Sequence, residues 1–242
     1  MNYQKSKYIG ILYLALMFVM AGLLTAGSVP AAPKAPQNDT QSTALKGQIA
    51  PRLQNLGNHA FPVTTDSTRA QLFFNQGMLL TYGFNHAEAM RSFREVARLD
   101  PDCAMAYWGM ALVLGPNINM AMPPEAEPIA YETIQKAVAL KKNASEKEKA
   151  YIDALAKRYS TKEKPNRNAL DLAYADAMGE LHERYLDDLD AATLYAEAVM
   201  DLRPWNYWTR DMQPYPETTE VMRVLESVIS RNPAHPGVQR LN

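Results

Sequence analysis

Residues 70–107 read AQLFFNQGMLLTYGFNHAEAMRSFREVARLDPDCAMAY and contain the clearest structural pattern in the chain. Apolar residues recur over 71–84 and again over 86–99 at the three- and four-residue spacing of amphipathic helices. Gly83 lies in the break between the two stretches, and Pro101 stands just past the second, where a proline ends a helix. The pattern therefore predicts two short helices joined by a tight turn.

The same periodicity continues toward the C-terminus, and no stretch alternates apolar and polar residues as a strand would. Ser145 followed by Glu148 is a capping box, in which two side chains satisfy free backbone amides at a helix start. Further helices are predicted over 104–114, 127–141, 145–159, 168–186, 190–202 and 216–230. The predicted fold class is therefore all-α.

The helices also repeat along the chain. Ala104 follows Ala70 by 34 residues and opens a second unit of the same kind. In the first unit, Gly77 is small enough to let the paired helices approach closely, and Phe93 is predicted to fill the space between them. This spacing predicts an array of helical pairs.

Six short sequence segments resemble those of a known protein family. They are YGFNH (82–86), RSF (91–93), CAMAYWG (103–109), GPN (115–117), LDAATLYAEA (189–198) and RPW (203–205). Together they resemble a family of exported bacterial tetratricopeptide repeat (TPR) proteins, most of them longer than this chain. Over residues 59–242 the resemblance implies an α–α superhelix of tetratricopeptide-type helical hairpins, with about three or four pairs. It implies no settled activity.

Residues 1–31 have the features of an export signal. Lys5 and Lys7 precede an uncharged stretch over 8–26, which is followed by small residues. The stretch is close to the ~20 residues that span a bilayer, so a cleaved signal peptide and an N-terminal membrane anchor are both open. Residues 32–58, rich in proline and alanine, are predicted to be a linker. We therefore expect a periplasmic protein, either free or tethered to the membrane through 8–26.

Charge and motifs restrict the function. Lys plus Arg is 25 and Asp plus Glu is 26, so no basic excess is present to bind nucleic acid. Cys103 is the only cysteine, which excludes an intramolecular disulfide. The sequence contains no phosphate-binding loop, nucleophile elbow or zinc-finger spacing. The chain is therefore predicted to be a binding protein and not an enzyme, with no cofactor.

A partner-binding groove is the first functional hypothesis. In TPR arrays the first helix of each pair lines the concave face, so the resemblance implies a groove lined by Phe74, Asn75, Met78, Tyr82, Met105, Trp108 and Leu112. Aromatic and amide side chains suit a protein or peptide partner, while buried packing is the alternative for each residue. Trp108 is predicted to face the groove because Tyr107 takes the inward position and a helix turns ~100° per residue.

Two other functions are open. His86, Cys103, Met120 and Met122 offer imidazole, thiol and thioether groups, and His59 is a further candidate nearby. Such ligands suit Cu(I) or zinc, although methionine is also a common gap-filler in helical cores. A further alternative is that the chain is a truncated relative of a larger repeat protein, and that this larger protein has an enzymatic site. An aromatic cluster at 205–208 is predicted to be a helix-packing corner or a ligand platform.

Overall fold

The computed structural model describes residues 47–162 and 165–241. The predicted export signal, 1–31, and the first part of the predicted linker, 32–46, lie outside the described residues. Across the described ranges, no helix combines the length and the apolar character needed to cross a bilayer.

The described part of the chain is built from helices. They are α1 Thr68–Tyr82, α2 His86–Leu99, α3 Ala104–Leu112, α4 Ala126–Leu140, α5 Glu146–Ala156, α6 Arg167–Arg184, α7 Leu189–Met200, α8 Pro216–Arg231 and α9 Pro236–Leu241, with a single 3-10 turn at Lys141–Asn143. In the described residues, β-pairing is limited to two isolated bridges, Asn117 with Met120 and Trp208 with Pro214. The predicted all-α class is confirmed, and the eight predicted helices are present with ends that shift by three residues or fewer. The sequence pattern does not predict α9.

Side-chain caps fix several of the helix starts. Ser145 Oγ accepts a hydrogen bond from the backbone N–H of Glu148, and the Glu148 carboxylate accepts one from the Ser145 N–H at 2.7 Å. The predicted capping box is therefore confirmed. Asp188 caps α7 in the same way, since its carboxylate accepts a hydrogen bond from the N–H of Ala191 at 3.0 Å. This cap fixes the first turn of α7, which contains Asp190.

The first helical pair packs as the residue spacing predicts. Phe93 on α2 is fully buried. A Cβ atom added to Gly77 on α1 would lie 2.5 Å from the Phe93 ring, so only glycine leaves room for that ring. Gly109 on α3 approaches the same ring equally closely, with an added Cβ at 2.6 Å. Phe93 therefore joins the first pair to the start of the second.

Each helix packs against the one that follows it in the chain. The main core runs through α1 to α7, and a smaller apolar cluster forms where α7, α8 and Val238 of α9 meet. The short helix α9 also contacts α1, which brings residues near 235 back to the first helical pair.

Residues 47–66, which we name the N-terminal segment, contain no helix and lie against the helical core. Ala50 and Phe61 in this segment are buried, and Leu53 and Leu56 pack against the core. The stretch 47–58, which is the described part of the predicted linker, therefore packs on the helical core.

Candidate functional site

The predicted groove residues do not face solvent. Six of them are buried, namely Phe74, Met78, Tyr82, Met105, Trp108 and Leu112, while Asn75 is half-buried. The prediction that Trp108 projects into an open groove is wrong, because this side chain is 1% exposed and its Nε1–H donates a hydrogen bond to the Tyr151 carbonyl at 3.1 Å. Tyr107, the residue expected to point inward, is only partly buried.

The reason for this burial is the N-terminal segment, whose Phe61 lies among the predicted groove aromatics. The centroid of the Phe61 ring is 5.4 Å from that of Phe74, 5.8 Å from that of Trp108 and 5.4 Å from that of Tyr151. Rings at these separations gain attraction beyond the area that they bury. Phe61 therefore acts as an aromatic anchor that fixes the segment on α1, α3 and α5.

Side chains of α1 bind the main chain of the segment around this anchor. Asn75 Oδ1 accepts a hydrogen bond from the Phe61 N–H at 3.1 Å. The Gln71 amide binds two groups, donating to the Phe61 carbonyl at 2.8 Å and accepting from the Val63 N–H at 2.9 Å. Gln76 binds an earlier part of the segment in the same way. Its side-chain amide accepts a hydrogen bond from the Leu53 N–H at 2.9 Å and donates one to the Pro51 carbonyl at 2.9 Å. The contacts of α1 with the segment therefore resemble those of a groove that holds an extended peptide.

Carboxylates on α2 and α5 add to the attachment of the segment. Glu95 on α2 accepts a hydrogen bond from the Ile49 N–H at 2.8 Å. Glu148 on α5 accepts from both the N–H and the hydroxyl of Thr64, in addition to its role in the capping box. Hydrogen bonds to a charged group are stronger than neutral ones, so these contacts hold both ends of the segment.

A second constellation lies beside the anchor, where the segment meets the C-terminal helices. The His59 Nε2 atom lies 2.9 Å from Asp190 Oδ1, and the His235 Nε2 atom lies 3.2 Å from the same oxygen. Tyr82 donates its hydroxyl proton to that oxygen at 2.6 Å. The two imidazole rings stand edge to face, with centroids 4.9 Å apart. We name His59, Asp190 and His235 the histidine–aspartate cluster.

The histidine–aspartate cluster is largely withdrawn from water. The side chains of His59, Asp190 and His235 are 11%, 13% and 1% exposed. Burial by itself raises the pKa of Asp190. Hydrogen bonds from His235, His59 and Tyr82 outweigh the effect of burial and lower this pKa to about 2. Burial, and then the nearby Asp190 charge, raise the pKa of Tyr82 well above its ordinary value. At neutral pH the cluster therefore contains an ionised carboxylate and a protonated phenol.

The predicted soft-metal residues have other surroundings. Burial, the main cause, raises the pKa of the Cys103 thiol to about 11, which disfavours the thiolate that a metal would need. Met122 already accepts a hydrogen bond on its sulfur from Arg167 at 3.6 Å, and Met120 is exposed. Among the His, Cys, Asp and Glu side chains of the described ranges, the group of three potential ligands is the histidine–aspartate cluster, which contains neither His86 nor Cys103. The soft-metal site with Met120 and Met122 stays a prediction.

The aromatic cluster at 205–208 is largely on the surface. Trp205 is 71% exposed and Trp208 is 46% exposed, so neither forms the packed corner that was one of two interpretations. An apolar cleft of about 260 Å³ adjoins Trp208 and is also lined by Tyr207, Val221 and Leu225. This cleft is a second apolar surface, separate from the N-terminal segment.

No protein-family model matches the sequence, and neither a curated protein nor a solved structure shows significant similarity to the chain.

Proposed function

We propose that this chain is an exported TPR-type scaffold that binds an extended peptide or protein segment in the groove now filled by its own residues 47–66. The observation that carries this proposal is the set of hydrogen bonds that the side chains of Gln71, Asn75 and Gln76 make with main-chain groups of the N-terminal segment. Main-chain N–H and C=O groups occur in every peptide, so another segment can form the same bonds.

Selectivity for a partner comes from the aromatic anchor. Phe61 is the one large ring that the segment inserts between Phe74, Trp108 and Tyr151. Buried aromatic residues dominate the energy of many protein interfaces. The proposed partner is therefore an extended segment with an aromatic residue, which displaces the N-terminal segment of this chain.

Two further observations support a TPR-type array. Consecutive helices pack in pairs, and Phe93 is buried against Gly77 as the 34-residue spacing predicts. Close approach of small residues to one large ring is the packing that the spacing requires. Export is proposed from the charged and apolar pattern of residues 1–31 alone.

A competition experiment tests the proposal. The probe is a fluorescently labelled peptide with the sequence of residues 58–66, NHAFPVTTD, added to the full chain. Thr64→Val removes the hydroxyl contact with Glu148 and loosens the internal segment without changing its size. Because a hydrogen bond to a charged group is worth about 1.5–3 kcal/mol, we expect this variant to bind the probe about tenfold more tightly than the unaltered chain.

Three controls make the result specific. Thr133→Val makes the same substitution at a residue that hydrogen-bonds within α4, and it should leave probe binding unchanged. A second probe, with alanine in place of the phenylalanine that corresponds to residue 61, should bind Thr64→Val more weakly because the aromatic anchor is lost. Trp205→Ala should have no effect if the exposed aromatic cluster is not the binding surface. Equal binding of the first probe by the unaltered chain and Thr64→Val, or equal binding of both probes by Thr64→Val, would refute the groove.

A further inference from the structure

The geometry points to a transition-metal site in the histidine–aspartate cluster. We propose that His59 Nε2, His235 Nε2 and a carboxylate oxygen of Asp190 bind one divalent first-row ion such as Zn²⁺. The donor set is two imidazoles and one carboxylate, which is a common combination for such ions. This inference goes beyond the proposed function, and it would stand even if the groove bound no partner.

The spacing of the donor atoms fits a metal ion. Zn²⁺ holds nitrogen and oxygen ligands at roughly 2.0–2.2 Å, so neighbouring ligands of a tetrahedral site lie about 3.3–3.5 Å apart. The two Nε2-to-Oδ1 distances are 2.9 and 3.2 Å, and all three ligand atoms lie within 4.8 Å of one another. Shifts of a few tenths of an ångström would therefore admit the ion between them.

The charge of the cluster also favours a cation. Asp190 is a largely buried carboxylate, and no Lys or Arg side chain pairs with it among the residues the structure describes. Its hydrogen-bond partners are two imidazoles and a phenol, none of which is a fixed cation. A buried carboxylate of this kind attracts a divalent ion, since charges interact strongly away from water.

The ligands are held in place by separate parts of the fold. Asp190 lies in the first turn of α7, which Asp188 caps, and the Tyr82 hydroxyl orients its carboxylate. His235 directly precedes α9, which packs against α1 and α7. Contacts that orient a ligand in this way raise the affinity of a metal site.

One hydrogen bond indicates the tautomer of His235 in the metal-free chain. The Gly237 N–H donates to His235 Nδ1 at 3.3 Å, which leaves the ring proton on Nε2, facing Asp190. A metal on Nε2 replaces that proton, and the neutral ring then carries its proton on Nδ1. Binding therefore replaces the contacts of both imidazoles with Asp190 by bonds to the ion and breaks the long hydrogen bond from Gly237, while the contact of Tyr82 with Asp190 is retained.

Titration of the metal-free full chain with Zn²⁺, followed by calorimetry, tests the site. We expect one ion per chain and a higher melting temperature, and Co²⁺ should give the intense visible absorption of a four-coordinate site. His59→Gln and His235→Gln should each weaken binding at least tenfold. A glutamine amide can still donate a hydrogen bond to Asp190, so both variants should keep the metal-free fold.

The matched control is His182→Gln, which alters a partly buried imidazole that stacks on Tyr195 outside the cluster. Its affinity for Zn²⁺ should equal that of the unaltered chain, as should that of Cys103→Ser. Circular dichroism of each variant checks that the fold is kept. Absence of Zn²⁺ binding at millimolar concentration, or full binding by the His59→Gln/His235→Gln double variant, would overturn the proposal and leave a purely hydrogen-bonded cluster.

Discussion

Replacing Gly77 with alanine perturbs the closest approach between helices in the first pair. The added Cβ would lie 2.5, 2.7 and 2.8 Å from three carbons of the Phe93 ring. Carbon atoms in contact normally lie about 3.5–4.0 Å apart, so the overlap is about 1 Å. The ring has little room to move, because it is fully buried and Gly109 approaches it as closely from α3.

Two opposing terms set the size of the effect. Alanine is a better helix former than glycine by about 1 kcal/mol. Overpacking a filled core costs about 1–3 kcal/mol, and an overlap of this size places Gly77→Ala at the upper end. We therefore expect the free energy of unfolding to fall by about 2 kcal/mol, measured by urea denaturation followed by circular dichroism.

Gly179→Ala on α6 is the matched control. Its added Cβ would lie 3.2 Å from the ring of Tyr195, which is only partly buried and can shift. The gain in helix propensity should then dominate, so stability should stay equal or rise by up to about 1 kcal/mol. Combining Gly77→Ala with Phe93→Leu should recover part of the loss. If Gly77→Ala proves as stable as the unaltered chain, the close contact that we infer between α1 and α2 is absent.

Three further outcomes are expected. Phe61→Ala should lower the free energy of unfolding by about 3–5 kcal/mol in urea melts, because a buried ring is lost; a change below about 1 kcal/mol would contradict its role as anchor. Trp108→Ala should destabilise more than Tyr107→Ala in the same melts, since Trp108 is the more buried of the two, and the reverse order would argue against the packing described. Cys103, with its pKa raised by burial to about 11, should be alkylated at pH 8 about 100-fold more slowly in the folded chain than in urea, as followed by mass spectrometry. Equal rates would show that the thiol is accessible and unperturbed.

Local patterns in the sequence predict the helices well. Helical periodicity, the Ser145 capping box and Pro101 after α2 depend on residues a few positions apart. The packing of Phe93 against Gly77 also follows, because the two residues lie on consecutive predicted helices joined by a tight turn. The role of Gly109 does not follow, since it depends on how α3 crosses α2.

The error at Trp108 has a definite physical origin. Helix rotation separates Tyr107 from Trp108 into an inner and an outer position only where one side of α3 faces solvent. Every residue of α3 except Tyr107 is buried, because α2, α4 and α5 pack around the helix and Phe61 of the N-terminal segment covers Trp108. A helix that is apolar all round has no solvent face from which to read an orientation.

The contacts of the N-terminal segment and the histidine–aspartate cluster could not be predicted from the sequence, for different reasons. Residues 47–58 contain Pro51 and two glycines, as a linker would, and the contacts that hold them come largely from glutamine and glutamate side chains on α1 and α2 to main-chain atoms. Leu53 and Leu56 pack against the core, but no sequence spacing indicates which helices the segment contacts. The histidine–aspartate cluster draws on residues 59, 190 and 235, which no motif spacing connects.

The meeting of His59 with His235 changes how the described helices should unfold. In a linear repeat protein each unit contacts only its neighbours, so the end units can open independently. Here α9 contacts α1, and Asp190 contacts a residue near each end of the described chain. Opening of the last helices would release the N-terminal segment as well, and loss of the segment would free the last helices. The described helices should therefore unfold as one cooperative unit, with amide protons at both ends exchanging at similar rates.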